Sequence, residues 1–208
     1  MRLFSRAISL VFHPVFLNFY VVVLFLFVHP YTASKMNMNA RLLHMAILIV
    51  NMVILPLLLM LFLEKRKIIT SLQLPLREER GMVFLMLFVL FGITAYQMFE
   101  QEFSYLLVSY LAAISLGLLI LYFINLKTKI SMHAVAASSV VGAFVYLMFF
   151  ESNNNYLYYL CFFILLSGLI GSARLYLKAH SPRQIWLGYT TGFLITITVL
   201  WTITQVLF

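Results

Sequence analysis

Long apolar runs separated by short polar segments dominate the hydrophobic pattern of the chain. The runs cover residues 7–29, 41–63, 82–99, 104–125, 131–150, 156–177 and 184–207. Each has close to the roughly 20 residues that a helix needs to cross the hydrocarbon core of a bilayer. None alternates apolar and polar residues as a membrane β-strand does. The pattern therefore predicts an all-α, polytopic membrane helical bundle of about seven transmembrane helices, with residues 1–208 forming a single integral membrane domain.

The composition supports a membrane protein, since 64% of the residues are hydrophobic and 10% are charged, against about 25% charged residues in a soluble domain. Arg2 and Arg6 precede the first run, as basic residues do in a signal peptide. The run is longer than a signal-peptide core and no small-x-small cleavage site follows it. We therefore expect the first run to remain in the protein as a membrane span.

The basic residues are distributed unevenly between the two membrane faces that seven crossings create. One face carries Arg2, Arg6, Lys65, Arg66, Lys67, Arg77, Arg80, Lys127, Lys129, Arg174, Lys178 and Arg183, and the other carries Lys35 and Arg41. Basic loops stay in the cytoplasm, so this distribution predicts a cytoplasmic basic face in a bacterial inner membrane. The net charge of +8 fits attraction to anionic lipid headgroups, and we expect the bilayer, not nucleic acid, as the partner.

Three short polar stretches of the basic face contain most of the candidate chemistry. They are "LPLREERG" (74–81), "KTKISMHA" (127–134) and "SARLYLKAHSPRQ" (172–184). Two predicted helices separate each stretch from the next, so all three return to the same membrane surface. Arginine holds phosphate well because its planar guanidinium donates two parallel hydrogen bonds. The pattern therefore predicts an anion site at this surface.

Several of these residues also have a purely local explanation. Ser131 precedes an apolar helix and is a good N-cap, and a helix N-terminus also binds phosphate through its free N–H groups. The alternative for this stretch is a capping serine beside a headgroup-level His133. Ser181 and Gln184 flank Pro182 in the pattern of a capping box with a permitted proline. Gln184 is therefore explained by helix capping as well as by catalysis.

The three stretches resemble the motifs of the type-2 phosphatidic acid phosphatases, which are K-x6-R-P, P-S-G-H and S-R-x5-H-x3-D. Arg174 and His180 reproduce the spacing of the third motif, and "ISMH" keeps Ser131 and His133 of the second. "REER" offers Arg80 for the first motif, with Arg77 as a second cation. The resemblance covers residues 64–192 and implies a six-helix phosphatase-like core plus an extra helix.

The resemblance implies a phosphatase that needs no metal or other cofactor and acts on a membrane lipid phosphate. His180 would be the nucleophile and His133 the general acid, with Gln184 in the place of the aspartate that supports the nucleophile. The phosphate-holding residues would be Arg174, Arg80, Arg77, Lys129 and Ser131. The loops are too short to enclose a large soluble substrate, which favours a lipid whose tails stay in the bilayer.

The chain departs from the family motifs at five positions. These are Gln73 for the lysine, Gly81 for the proline, Met132 for the glycine, Ala173 for the serine and Gln184 for the aspartate. The last change leaves a non-catalytic alternative open, namely a lipid-phosphate-binding relative or an accessory subunit of a membrane complex. The sequence contains no aspartate, which excludes the aspartate-dependent magnesium enzymes of membranes. It does not predict the oligomeric state.

The remaining features of the spans favour packing over chemistry. His13 and His44 lie within apolar runs, and we expect them to be satisfied bundle residues. "GYTTG" (188–192) and the alanine- and serine-rich span that follows Ser131 are typical of closely packed membrane helices. All six acids are glutamates near the predicted membrane surfaces, whereas ion-coupled transporters place ionisable groups within their spans. This distribution argues against a transporter.

Overall fold

The computed structural model describes residues 1–29, 36–151 and 155–207, and these residues form helices joined by short loops. The helices are α1 (Arg2–Val11), α2 (Pro14–Val28), α3 (Met38–Ile49), α4 (Leu55–Lys65), α5 (Arg77–Glu100), α6 (Tyr105–Asn125), α7 (Met132–Phe150), α8 (Asn155–Tyr176) and α9 (Pro182–Leu207). A π-helical turn, Val50–Ile54, joins α3 to α4 without a break. Lys35, which the charge distribution assigns to the less basic face, lies outside the described residues.

Six helices of the described ranges are long and apolar enough to cross a membrane. They are Met38–Lys65, Arg77–Glu100, Tyr105–Asn125, Met132–Phe150, Asn155–Tyr176 and Pro182–Val206. The pair α1 and α2 passes the same test only when taken together, which gives up to seven spans. The predicted all-α bundle of about seven transmembrane helices is confirmed.

The first predicted span is bent by 52° where α1 ends and α2 begins. Phe12 and His13 lie between the two helices, and Pro14 is the first residue of α2. A proline ring clashes with the carbonyl four residues before it and disfavours helical geometry in the residue that precedes it. The proline therefore ends the first helix and leaves His13 outside regular helical structure.

The chain divides into two compact units, which we call unit 1 and unit 2. Unit 1 contains Met1–Asn18 and Lys129–Phe208, and unit 2 contains Phe19–Thr128. Unit 1 therefore combines α1 with α7, α8 and α9, although more than a hundred residues separate these parts in the sequence. The single integral membrane domain over residues 1–208 stays a prediction.

Small residues determine the packing of unit 1, in which α7 contacts both α8 and α9, and α1 contacts α8. A Cβ atom on Gly188 would lie 2.8 Å from the Cβ of Ala134. A Cβ on Gly192 would overlap the carbonyl oxygen of Val135 and the Oγ of Ser138. The two glycines therefore let α9 approach α7 closely, which confirms the packing predicted from "GYTTG".

Polar side chains connect the helices of unit 2. Asn51, in the π-helical turn, donates from Nδ2 to the Oε1 of Gln97 in α5 over 3.0 Å. Ser115 in α6 donates to the carbonyl oxygen of Phe88 in α5 over 2.8 Å. Hydrogen bonds of this kind stabilise contacts between helices in an apolar environment.

Candidate functional site

The candidate site lies at one end of the helices of unit 1. His133 is the second residue of α7, Arg174 is in the last turn of α8, and His180 is in the loop between α8 and α9. Successive helices joined by short loops run antiparallel, so the start of α7, the end of α8 and the start of α9 share this end. The second and third predicted motifs therefore meet in three dimensions.

Ser131 caps α7 with its side chain and links the two motifs through its backbone N–H. Its Oγ accepts a hydrogen bond from the backbone N–H of Ala134 at 3.5 Å, and the residue is fully buried. Its own N–H donates to the carbonyl oxygen of Gln184, also at 3.5 Å. The structure thus confirms Ser131 as the N-cap of α7 and places it against the start of α9.

Gln184 forms the predicted capping box and also contacts His180. Its Oε1 accepts from the backbone N–H of Ser181 at 3.2 Å, and its N–H donates to the Oγ of Ser181 at 3.4 Å. The same Oε1 lies 3.1 Å from Nδ1 of His180. Because an atom that accepts from a backbone N–H must be the amide oxygen, Nδ1 is the donor in this contact. In the neutral ring the lone pair is then on Nε2.

His133 is held by α1, a helix that none of the predicted motifs includes. Its Nε2 donates to the carbonyl oxygen of Ser9 over 3.0 Å. The bond turns this edge of the imidazole toward α1. Nδ1 of His133 has no hydrogen-bond partner in the described part of the chain, so it is the nitrogen available to a ligand.

His13 packs against His133, with ring centroids 5.5 Å apart and the rings nearly perpendicular. Neither ring nitrogen of His13 forms a hydrogen bond to a described residue. This differs from the prediction of a satisfied bundle residue. His44 does agree with that prediction, because its ring contacts the carbonyl oxygen of Ala40 at 2.7 Å and the Oε1 of Gln101 at 2.9 Å. The dipeptide His13-Pro14 was the sequence signal that could have distinguished the two histidines.

Arg174 is a partly buried cation without an ion pair among the described residues. Its Nε is fully buried and has no hydrogen-bond partner there. The guanidinium lies close enough to His13 and His133 to act on both electrostatically, and His133 interacts in the same way with His180. These four side chains form a group that we call the basic centre.

The basic centre lies in a part of the chain that is almost free of acidic residues. Glu151 is the one acid in the sequence of unit 1, and it follows the other end of α7, where its Oε2 accepts from the hydroxyl of Tyr156 at 2.9 Å. A buried guanidinium N–H without an acceptor is costly, because desolvation of a charged donor is not offset. The arrangement therefore favours an anionic ligand.

Of the other predicted phosphate-binding residues, Lys129 belongs to unit 1, and Arg77 and Arg80 belong to unit 2. Lys129 is partly buried in the loop before α7. Arg80 and Arg77 lie in the first turn of α5 in unit 2, where Arg80 is buried and its Nε donates to the carbonyl oxygen of Leu74 over 2.9 Å. Arg77 lies 3.8 Å from Glu78 and is substantially exposed. Contacts of these three cations with a phosphate stay predictions.

The fold and the basic centre together define a polytopic membrane protein whose helices carry arginine and histidine at one end of unit 1. Residues 123–207 match the family model of the PAP2 superfamily, which confirms the resemblance to the type-2 phosphatidic acid phosphatases. The matched segment includes Lys129, Ser131, His133, Arg174, His180 and Gln184, whereas Arg77 and Arg80 precede it. No curated protein and no solved structure matches the chain at a significant level. The family suggests a phosphatase-type fold and a lipid phosphate substrate in a membrane setting.

Proposed function

We propose that the protein is a metal-independent phosphatase that hydrolyses a membrane lipid phosphate through a histidine nucleophile. The observation that carries the proposal is the buried Nε of Arg174, which has no hydrogen-bond partner among the described residues. A phosphate oxygen would satisfy this donor and balance its charge in a charge-assisted hydrogen bond. The neighbouring imidazoles supply the groups that phosphoryl transfer requires.

In the first step, Nε2 of His180 attacks phosphorus and forms a P–N bond while the P–O bond to the lipid alcohol breaks. The proposal is supported by the contact between Nδ1 and Gln184, which leaves the lone pair on Nε2. His133 enters this step as the imidazolium, protonated at both ring nitrogens, and gives its Nδ1 proton to the departing alkoxide. Its Nε2–H stays bonded to the carbonyl oxygen of Ser9 throughout. Arg174 stabilises the charge on the phosphoryl oxygens.

In the second step, water attacks the phosphohistidine, and the P–N bond breaks to release inorganic phosphate. His133 now accepts a proton from the attacking water, which restores both imidazoles to their starting forms. Gln184 orients His180 but, being neutral, does not offset the positive charge that develops on the imidazole. We therefore expect turnover to be slow for an enzyme of this type.

The short loops around the basic centre support a lipid as the substrate. Five residues, 177–181, separate α8 from α9, and six residues, 126–131, separate α6 from α7. Loops of this length cover little of a ligand, so most of the contact with a substrate comes from helix ends at the membrane surface. A lipid phosphate reaches such a site with its acyl or prenyl tails still in the bilayer.

Gln184 also supports a second candidate function, a lipid-phosphate-binding protein or accessory subunit without turnover. The capping box accounts for this residue in structural terms alone. The anion would then be held by the same basic centre, but no phosphohistidine would form.

The proposal can be tested with purified protein in detergent and a panel of lipid phosphates, with and without EDTA. Release of inorganic phosphate that is unaffected by the chelator is the expected result. Phosphate release that is lost in EDTA and restored by a divalent cation would refute the metal-independent mechanism. Tight binding of a lipid phosphate without release would favour the second candidate.

A variant of Arg174 tests the site separately from turnover. Arg174→Ala should raise the Kd of orthovanadate roughly 10- to 100-fold, because a charged hydrogen-bond donor is lost. Lys178→Ala is a matched control, since Lys178 is an exposed cation four residues away and should change the Kd less than about twofold. Equal effects of the two substitutions would show that general positive charge, not the basic centre, binds the anion.

We also propose that the basic centre faces the cytoplasm, as the distribution of basic residues predicts. Ser181 and Glu102 are exposed in different loops, and each can be replaced by cysteine in a Cys161→Ser background. In intact cells a membrane-impermeant thiol reagent should label Glu102→Cys and spare Ser181→Cys. The reverse labelling pattern would place the basic centre on the outer face.

A further inference from the structure

His13 is a side chain of the basic centre that the family motifs do not include. It lies at the bend between α1 and α2 and makes a T-shaped ring contact with His133. It also interacts electrostatically with Arg174. Its ring nitrogens have no hydrogen-bond partner in the described ranges. It therefore adds hydrogen-bonding capacity to the basic centre that no described residue uses.

The position of His13 is fixed from both sides of the bend. On one side, Ser5 of α1 is buried and the carbonyl oxygen of Ser9 accepts from His133. On the other side, Pro14 begins α2, and the backbone carbonyl of His13 accepts from the N–H of Leu17 at 2.9 Å. The ring itself packs against His133 and Phe16, and a side chain that is already packed loses little conformational entropy when it binds a ligand.

We propose that His13 is a third histidine of the phosphate site and donates a ring N–H to an oxygen of the bound phosphate. The inference rests on the proposed function, because it assigns a further ligand to the same anion. The ligand class is a phosphate monoester, and inorganic phosphate shares its chemistry. The observation that points to an anion is the buried Nε of Arg174, which has no hydrogen-bond partner among the described residues.

A structural role for His13 makes a different prediction. The ring also packs against Phe16, with centroids 6.2 Å apart, so an aromatic ring at this position fills space beside His133. His13→Phe keeps such a ring and loses both nitrogens. His13→Gln loses the ring and keeps an N–H donor. The two variants therefore separate hydrogen bonding from packing.

The experiment measures the Kd of orthovanadate by calorimetry, and the Tm, for the full-length protein in detergent. His13→Phe should keep its Tm and raise the Kd roughly 10- to 100-fold, as expected for loss of a hydrogen bond to a charged group. His13→Gln should bind within a few-fold of wild type. His44→Phe, in unit 2, is the control. Both ring nitrogens of His44 already contact protein oxygens, those of Ala40 and Gln101, so this ring does not serve the anion and the Kd should stay unchanged.

The same titrations with inorganic phosphate and with a short-chain phosphatidic acid distinguish the two sources of the phosphate group. A loss of affinity for both ligands in His13→Phe supports the proposal, and a tighter wild-type Kd for the lipid identifies the headgroup as the natural ligand. Wild-type affinity in His13→Phe, or equal losses in both His13 variants, would overturn it. A wild-type protein that binds neither ligand would reject the proposed function itself, which is a separate result.

Discussion

Unit 1 and unit 2 both bury polar side chains among apolar helices, but they use them differently. In unit 2, Asn51 pairs with Gln97, and His44 contacts Ala40 and Gln101. In unit 1, the Nε of Arg174 is buried without a hydrogen-bond partner among the described residues. In the described part of unit 2, the buried side-chain atoms without such a partner belong to Ser104, Ser109 and Asn125 and are neutral. Since burial costs more for a charged donor than for a neutral group, the unpartnered charge of Arg174 supports the anionic ligand that we propose, whereas the hydrogen bonds of unit 2 join its helices.

The largest expected effect is on kcat and comes from removing His180 in unit 1. His180→Ala should lower kcat for a lipid phosphate by at least about 10³-fold, because a nucleophile cannot be replaced by its neighbours. Vanadate binding should be weakened much less, since Arg174 remains. Steady-state kinetics and calorimetry of the same preparation measure both quantities.

His44→Ala in unit 2 provides the contrasting control. It should lower the free energy of unfolding by about 1–2 kcal/mol, because two hydrogen-bond contacts are lost, while kcat stays near wild type. Retained turnover in His180→Ala would remove His180 from the mechanism. A collapse of kcat in His44→Ala would break the functional contrast between the units.

Small residues at the α7–α9 contact give the next largest effect. Gly192→Ala should destabilise the protein by about 1–3 kcal/mol, since its new methyl group would overlap Val135 and Ser138. Gly168 is exposed on α8 and a Cβ there would meet no atom within 4 Å. Gly168→Ala should therefore be neutral or stabilise by up to about 1 kcal/mol through helix propensity. Unfolding in a denaturing detergent series compares the two variants directly, and similar stabilities would contradict close packing at Gly192.

Gln184 should have an intermediate effect on turnover. Gln184→Asp should raise kcat, because a carboxylate offsets the charge that develops on His180, and Gln184→Ala should lower it about tenfold through loss of the orienting hydrogen bond. Ser181→Ala removes the other half of the capping box without touching His180, and it measures the contribution of capping to Tm. If neither Gln184 variant changes kcat while both stay folded, this residue has a capping role alone.

The smallest effect is expected from the polar contacts of unit 2. Asn51→Leu removes the hydrogen bond to Gln97 and should cost roughly 0.6 kcal/mol, the average for such bonds between membrane helices. Gln97→Leu should cost a similar amount, and the double variant should cost less than the sum, because the same bond is removed once. The Kd for vanadate should remain at the wild-type value in all three variants. A changed Kd would show that these contacts of unit 2 also serve the anion site.

The sequence predicted the features that depend on neighbouring residues. The length of the apolar runs identified the helices. Local patterns predicted Ser131 as an N-cap and Ser181 and Gln184 as a capping box, and the structure contains both. Such features are determined within one or two turns of helix. The roles of Lys129, Arg77 and Arg80 in phosphate binding could be proposed from the resemblance, but Arg77 and Arg80 lie outside the matched segment.

The contribution of α1 to the site could not be predicted in this way. The hydrogen bond from His133 to Ser9 spans 124 residues, and no local pattern determines which distant helix will pack beside another. An apolar run with one proline also fits a gently kinked span, so the sequence does not determine the 52° angle between α1 and α2 or the contact between His13 and His133. The scarcity of glutamate near Arg174 in the sequence is consistent with its lack of an ion pair among the described residues, but the burial of its Nε could not be predicted.

Unit 1 is built from two segments that are distant in the sequence, and this affects the order in which the protein is synthesised and assembled. Its first part, Met1–Asn18, is synthesised before unit 2, and its second part, Lys129–Phe208, comes after it. At roughly 5–20 residues per second, α1 waits on the order of ten seconds before α8 leaves the ribosome. His180, the last of the four side chains of the basic centre, lies in the loop after α8, so the centre can be assembled only late in translation. A chain that ends within α8, Asn155–Tyr176, contains membrane spans but lacks His180.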